Sequence, residues 1–382
     1  MKYPVHYITD DKALEKVVSQ LLKKPSIAID LEFDKNHYRY GFNLCLMQIF
    51  DGEDCYLIDP LADLNIEKIY RVIESEEITK LCFAFNEDMR LLFHLGTTPK
   101  GIKDLAIARI LTGKQSLSLS NTLIDELGRE PQVSQQKSNW FQRPLTDEQK
   151  HYAALDVVDL FELQQVLEGQ LEKQNRMAWF EQEMIQFETS DWVAVPFEVV
   201  PEKDRKELSL REWMRFEKLM ELRDEFAKQL NRPAFKVIDK QIMKDLSINP
   251  DKAKNWSTIK RVHPKFRNQH VQERIVLMIS KVEDEIKSQN ILKDESSRKS
   301  ISKEERLQRN QGRNRLNQLK DTFFKPVKEE LTEEVGEHLS NYVLSNRKIQ
   351  DFVFQNAELL AYQRDLLIKI ADSKGLKTPE MI

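Results

Sequence analysis

The sequence predicts an α/β layer domain with a mixed β-sheet, followed by all-helical units. Three observations carry this. Strand and helix signals alternate through the first 175 residues. Strand signals nearly vanish after residue 205. The length of 382 residues exceeds one typical domain of about 100–200, and 40% apolar residues are enough to fill real cores, while 32% charge with only 10 glycines leans toward helix.

The elements follow in order. Ser26–Phe33 is a β-rich run. Leu44–Phe50 and Cys55–Ile58 flank Asp51-Gly52, which reads as a hairpin turn. Ile78–Phe83 is a further strand, with a helix from Glu87 to Leu95. Helical patterns fill 103–112 and 119–128. A long helix runs from Asp147 to Gln174, opened by a capping box in which Thr146 is the N-cap and Gln149 the third helical residue. Residues 176–204 read as a connector bearing Trp179, Trp192, Pro196 and Pro201. Helices are expected over 208–230, 239–246, 255–261 and 269–288. Residues 287–320, with ten Lys/Arg against four Asp/Glu and no aromatic residue, read as a flexible basic linker or a solvated helix. A second small helical unit follows over 321–373. The expected divisions are 1–175, a connector 176–204, a helical domain 205–288, a basic linker 289–315 and a second helical unit 316–382.

Composition excludes several classes. No run of 18 or more apolar residues is present, so no membrane span is expected. The N-terminus has no apolar stretch of the signal-peptide kind. Cys45, Cys55 and Cys82 are odd in number and lack CxxC spacing, which argues against a disulfide framework or zinc ribbon and for a reducing cytoplasm. The net charge of −4 conceals an asymmetry. Residues 1–190 hold 21 Lys+Arg against 31 Asp+Glu, a net of −10; residues 191–382 hold 38 against 32, a net of +6. A basic half can meet a polyanion directly, and an acidic half can do so if cations intervene.

Asp30 and Glu32 stand two apart in an apolar strand and so point to one face. Half-buried paired carboxylates repel each other, and a cation is the usual remedy. Asp88 follows the strand at 80–83 and opens a helix, a place where an acid also favours the helix dipole. Tyr152 and Asp156 are four apart on the capped helix and share a face.

The order DxE, then Asp88, then Tyr152-Ala153-Ala154-Leu155-Asp156 resembles the DEDD superfamily of 3′-5′ exonucleases in its tyrosine subclass. Leu46-Met47-Gln48-Ile49, Tyr56-Leu57-Ile58-Asp59-Pro60-Leu61 and Ser138-Asn139-Trp140 with Arg143-Pro144-Leu145 sharpen the resemblance to the ribonuclease D family. Leu219–Ala227, then Asn231-Arg232-Pro233-Ala234-Phe235 and Ile242-Met243, is similar to an HRDC domain, the helical nucleic-acid-binding module of ribonuclease D and RecQ-type helicases; residues 316–373 are more faintly similar to a second one. Phe83 stands near the place where the second motif of the family commonly carries a histidine, and Ser138-Asn139-Trp140 resembles the Werner-type exonuclease.

The resemblance implies a ribonuclease H-like fold and two-metal-ion hydrolysis at RNA 3′ ends, tRNA or other structured RNA among them, releasing nucleoside 5′-monophosphates. Asp30, Glu32, Asp88 and Asp156 would hold two divalent ions, Mg²⁺ or Mn²⁺, which suit an all-carboxylate donor set. Tyr152 would orient the attacking water; Leu31, Phe33 and Asn86, which flank the metal motifs, would touch the terminal nucleotide, with core packing an equal alternative for Phe33. His151 is a rival for Tyr152, because His151–Asp156 also fits the histidine-subclass pattern. At about 100° per residue Tyr152 lies about 40° from Asp156 around the helix and His151 about 140°, which favours Tyr152. Lys260, Arg261, Lys265, Arg267 and Arg274 form a solvated face or a phosphate-binding one. A DNA 3′-5′ exonuclease and a catalytically silent nucleic-acid-binding protein are the alternatives; no obligate protein partner is implied.

Overall fold

The computed structural model describes residues 3–193, 199–293, 295–298, 302–355, 357–380 and 382. Pro196 of the expected connector and residues 294 and 299–301 of the expected linker lie outside the described residues. The chain forms two compact units, one of Met1–Glu32, Leu44–Ala194 and Lys303–Ile382, the other of Phe33–Asn43 and Val195–Ser302.

The first unit begins with β1 (Val5–Asp10), α1 (Asp11–Leu21), β2 (Ser26–Lys35), β3 (Phe42–Phe50), β4 (Cys55–Asp63), α2 (Tyr70–Ile73), β5 (Thr79–Cys82), α3 (Asn86–His94), β6 (Ile102–Asp104), α4 (Leu105–Leu111) and α5 (Leu119–Leu127). Three further helices follow: α6 (Asp147–Val158), α7 (Leu160–Lys173) and α8 (Met177–Thr189). The six strands form one mixed sheet in the order β1-β4-β3-β2-β5-β6. β3 and β4 are antiparallel, while β1 runs parallel to β4, and β5 runs parallel to both β2 and β6. β2 sits inside the sheet, with Ser26, Ile27 and Ala28 opposite Thr79, Lys80 and Leu81. Burial on both faces explains its nearly unbroken apolar run. At the β3–β4 turn, Asp51 accepts from the Glu53 and Asp54 amides (3.0 and 2.8 Å), and Gly52 takes the φ of 96° that a side chain would disfavour.

Local signals account for the helices. Asp10 caps α1 through the Ala13 amide (2.9 Å). Thr146 and Gln149 close the capping box of α6 reciprocally. The long helix expected over 147–174 is two helices that break at Asp159. β1 and β6, absent from the sequence reading, are six and three residues long and draw their strand character from pairing with β4 and β5. α8 occupies ground expected to be a connector, and its Phe180, Glu183, Met184 and Phe187 are buried.

In the second unit, α9 (Leu210–Leu230), α10 (Ala234–Val237), α11 (Lys240–Ile248) and α12 (Gln269–Ser288) surround Trp213, Phe216, Phe226, Trp256 and Phe266. Phe226 and Phe266 stack at 4.1 Å between centroids. Residues 255–261, expected as helix, hold the end of a 3₁₀ stretch over Pro250–Thr258.

The chain then returns to the first unit with α13 (Lys303–Leu319), a π-helical turn over Lys320–Phe324, α14 (Lys325–Val335), α15 (Glu337–Val343), α16 (Asn346–Val353) and α17 (Ala361–Ser373). α13 buries no side chain, so this part of the basic segment is the solvated helix of the two readings. The sequence reading separates residues 316–382 as a unit of their own, whereas in the structure α15 packs on α4 and α17 on α8.

Candidate active site

The site is built at the centre of the sheet. Strand alternation puts Asp30 and Glu32 on one face of β2 and turns Leu31 to the other, where it is buried in the core. One turn from the end of α6, Asp156 reaches the same place. Carboxylate oxygens of Asp30, Glu32 and Asp156 all lie within 4.8 Å of one another. Asp88 enters from the first turn of α3 and falls outside that tight trio. It is buried, its Oδ1 has no hydrogen-bond partner among the described residues, and the charge of Asp30 acts on it.

The cluster is electrostatically unfavourable as it stands. Burial pushes the Asp30 carboxyl up to about 7. Burial, then the charge of Asp30, pushes Asp156 up to about 9. Glu32 is raised well above the carboxylate range by burial and then by Asp30, Asp156 and Asp88; Asp88 is raised by burial and then by Asp30. All four acids therefore favour protons over bare charge, and each would keep its charge beside a cation. An all-oxygen donor set with an orphaned buried oxygen fits a hard divalent ion.

Tyr152, half-buried, lies one helical turn before Asp156 on the same face of α6. Burial, then the charges of Asp156 and Glu32, raise its phenol, so it stays neutral near pH 7. Its ring lies 6.3 Å from that of buried Trp140. His151 points to solvent. Asn86 is exposed at the start of α3. Phe33 belongs to the second unit, where its ring meets Phe42 edge-on at 5.3 Å. The basic patch is only partly free: Arg274 pairs with Glu225 (2.9 and 2.5 Å) and Arg261 with Asp239 (2.5 Å).

Several buried polar groups hold the loops around these acids, and of them only Gln149, through its capping box, had a role legible in the sequence. Asp104 is fully buried and accepts from the amides of Ala84, Phe85 and Ala106 (2.8, 2.9 and 2.9 Å). It thereby fixes the loop that launches α3, in which Ala84 takes a left-handed φ of 55°. The signal available was an Asp in N-cap position before Leu105–Leu111. Asp59 takes two bonds from Arg143 (2.5 and 2.7 Å) and one from the Tyr7 hydroxyl, while Arg143 also donates to the carbonyls of Cys45 and Trp140 (both 2.7 Å). This ties the 138–145 loop to β3 and β4. Gln149 donates from the same capping box to Ser138 (3.1 Å) and the Asn139 carbonyl (3.4 Å).

A family model for 3′-5′ exonucleases matches residues 5–172. Ribonuclease D of Shewanella sp. (strain ANA-3) is 31% identical over 179 residues, 46% of this chain and 46% of the relative. That of Jannaschia sp. (strain CCS1) is 28% identical over 254 residues, 63% and 64% of the two chains. The chain thus spans about half the length of the first relative and just under two thirds of the second. Among solved structures, Escherichia coli RNase D, an exoribonuclease involved in structured RNA processing, superposes with a TM-score of 0.69 at 19% identity, over 98% of this chain and 99% of that one. A protein from Bifidobacterium adolescentis gives 0.70 at 18%, over 98% of both.

At these identities the solved structures speak to fold, and they extend it through the helical region. Fold, motif order and sequence match define residues 5–172 as a 3′-5′ exonuclease domain with a mixed sheet of ribonuclease H-like type. Over about half of its length the chain is similar to curated ribonucleases D. Among the described residues no helix is long and apolar enough to cross a membrane.

Proposed function

We propose that this protein is a divalent-metal-dependent 3′-5′ exoribonuclease that trims RNA 3′ ends, tRNA or other structured RNA among them. The observation that carries the reading is the meeting of Asp30, Glu32 and Asp156 within 4.8 Å, with buried Asp88, whose Oδ1 has no partner among the described residues, in reach of the Asp30 charge. Their carboxylates would hold two ions of the Mg²⁺ or Mn²⁺ kind. When bound, such ions supply positive charge for the scissile phosphate and make water acidic enough to attack at neutral pH.

The chain's own groups do the rest. Glu32, Asp156 and Tyr152 line the place where water must sit. Because the Tyr152 phenol remains protonated, it orients that water by hydrogen bonding and does not act as its base. Asn86, exposed beside Asp88, and the backbone of Leu31 are placed to meet the terminal nucleotide; the Leu31 side chain is committed to the core. The sequence similarity to curated ribonucleases D supports RNA over DNA. The helical modules, HRDC-like in this reading, would hold the RNA body by its phosphates.

The test is 3′-end trimming of a tailed tRNA and a DNA oligonucleotide of matched sequence, with Mg²⁺, Mn²⁺ or EDTA. The reading expects nucleoside 5′-monophosphates from the RNA, faster than from the DNA, and none in EDTA. Faster release from DNA would move the substrate to DNA, and release insensitive to EDTA would remove the metal-dependent reading.

A further inference from the structure

We propose that the cleft between α13 and the end of α16 is a second nucleic-acid site, in which one base of a single-stranded RNA segment stacks on Phe354 while Arg309 and Arg313 hold the adjoining phosphates. The inference rests on the exoribonuclease reading for its substrate class and concerns a place that the acid cluster does not use.

α13 is an unusual element for a folded chain. It is 17 residues long, buries no side chain, and carries Lys303, Arg306, Arg309, Arg313 and Arg315 against Glu304 and Glu305. Such a helix is ordinarily just a solvated face. Here a second feature sits on it. Gly312, Leu316 and Leu319 make a half-buried stripe at helical spacing, and the Phe354 ring rests against Gly312. A Cβ at residue 312 would lie 3.0 Å from the ring, so the glycine leaves the seat that the ring takes.

Phe354 is not there to fill a core. It follows Phe352 and Val353, which are buried, and is itself 41% exposed. With Arg309, Arg313, Leu316 and Gln350 it lines a cleft of about 420 Å³. Arg309 and Arg313 are one helical turn apart, so their guanidinium groups can flank the ring. No ion pair or hydrogen bond among the described residues uses either side chain. Uncommitted guanidinium groups around an exposed aromatic ring are the two components of sequence-tolerant single-strand binding: a stacking platform and positive charge for the backbone.

The donors narrow the ligand. Two arginines one turn apart suit successive phosphodiesters, and Gln350 offers an amide to a base edge. Duplex RNA would hide its base faces from Phe354, so the segment is single-stranded.

The experiment measures fluorescence anisotropy of a labelled hairpin RNA with a single-stranded tail in EDTA, across a salt series, using the full chain. Phe354→Ala should weaken binding roughly 10-fold. Arg309→Gln/Arg313→Gln should flatten the slope of log affinity against log salt by about 1.4. Both variants should hydrolyse a dinucleotide, too short to reach the cleft, at the wild-type rate. Because both arginines are exposed, the double variant tests the site even if Phe354→Ala misfolds. Wild-type affinity and slope in both variants overturn the proposal and leave the groove to a protein partner. A dinucleotide that even the wild type leaves intact in Mg²⁺ would instead count against the exonuclease reading, independently of this cleft.

Discussion

At the residue scale the acid cluster makes two demands on one set of side chains. Without cations, Asp30 stays partly protonated near pH 7, and folding pulls its carboxyl from about 4 up to about 7. The folded state then binds more protons than the unfolded one between these values, so the cluster costs stability as pH rises through that window. Asp30→Asn removes that cost and one donor together. In EDTA at pH 7 the variant should be more stable than wild type, by on the order of a few kcal/mol, and should lose less stability than wild type as pH rises from about 4 to 7, the remainder coming from Glu32, Asp88 and Asp156. Nucleotide release in Mg²⁺ should fall about 100-fold or more. Thermal melts across pH, paired with the trimming assay, check both; a variant less stable than wild type at pH 7 in EDTA would contradict the electrostatic account. Tyr152 and His151 offer a second test on the same helix. Tyr152→Phe keeps the ring against Trp140 and loses the hydroxyl, so kcat should drop about 10- to 100-fold with KM nearly unchanged. His151→Gln should leave the pH–rate profile as it is; loss of a limb of that profile in the variant would give the water-orienting role to histidine.

At the element scale the site depends on loops held by buried polar bonds. Burial alone would raise Asp59, but bonds from Arg143, Tyr7 and the Leu61 amide outweigh it and hold the carboxyl below its usual range. A depressed carboxylate contributes stability that is complete above its unfolded value near pH 4 and is lost as pH falls through its folded value. Asp59→Asn should therefore flatten the acid limb of the stability curve and lower stability at pH 7 by about 2–4 kcal/mol, since Arg143 loses its partner. Urea titrations between pH 2 and 7 measure this, and an unchanged acid limb would place the acid sensitivity elsewhere. The same network marks the limit of what could be read from the chain. The strand at Ser26–Phe33, the hairpin at Asp51-Gly52 and the capping box at Thr146 are local patterns, and they were legible. Strand alternation and helix period put Asp30 with Glu32 and Tyr152 with Asp156 on shared faces, but that Asp30, Glu32 and Asp156 meet was implied only by the resemblance of their motif order. β1 and β6 were not legible, since three to six residues gain strand character only from neighbours such as Cys55 and Lys80. Asp104 fell inside the helical pattern expected over 103–112, and its bonds to the Ala84 and Phe85 amides cross 20 and 19 residues.

At the scale of the whole molecule, the C-terminal helices belong to the catalytic unit through one buried carboxylate. Glu183 on α8 is 4% exposed and accepts from the hydroxyls of Tyr342 (2.7 Å) and Tyr362 and from the Gln363 amide (3.2 Å). Around it Trp179 stacks on Tyr362 at 4.9 Å, and Gln182 accepts from the Tyr362 amide (3.0 Å). Nothing in the sequence near Glu183 announces this, because its partners lie 159 to 180 residues on. A buried charge with three donors is stable only while all remain. Burial and then the carboxylate raise both phenols, so Tyr342 and Tyr362 stay un-ionised through the alkaline range in which exposed tyrosines titrate. Glu183→Ala strands two hydroxyls and an amide in the core and should cost about 3–5 kcal/mol, felt first as faster amide exchange in α14–α17 while the protection of β2 and β5 persists. Glu183→Gln keeps an acceptor without the charge and should cost less, while bringing the two phenols down toward their ordinary titration range in ultraviolet spectra. Hydrogen exchange that stays slow in α14–α17 of Glu183→Ala would show that apolar packing of α17 on α8 holds these helices without the carboxylate. Faster exchange confined to them would make the C-terminal region a separable layer, one whose loss removes the Phe354 cleft and leaves the acid cluster in place.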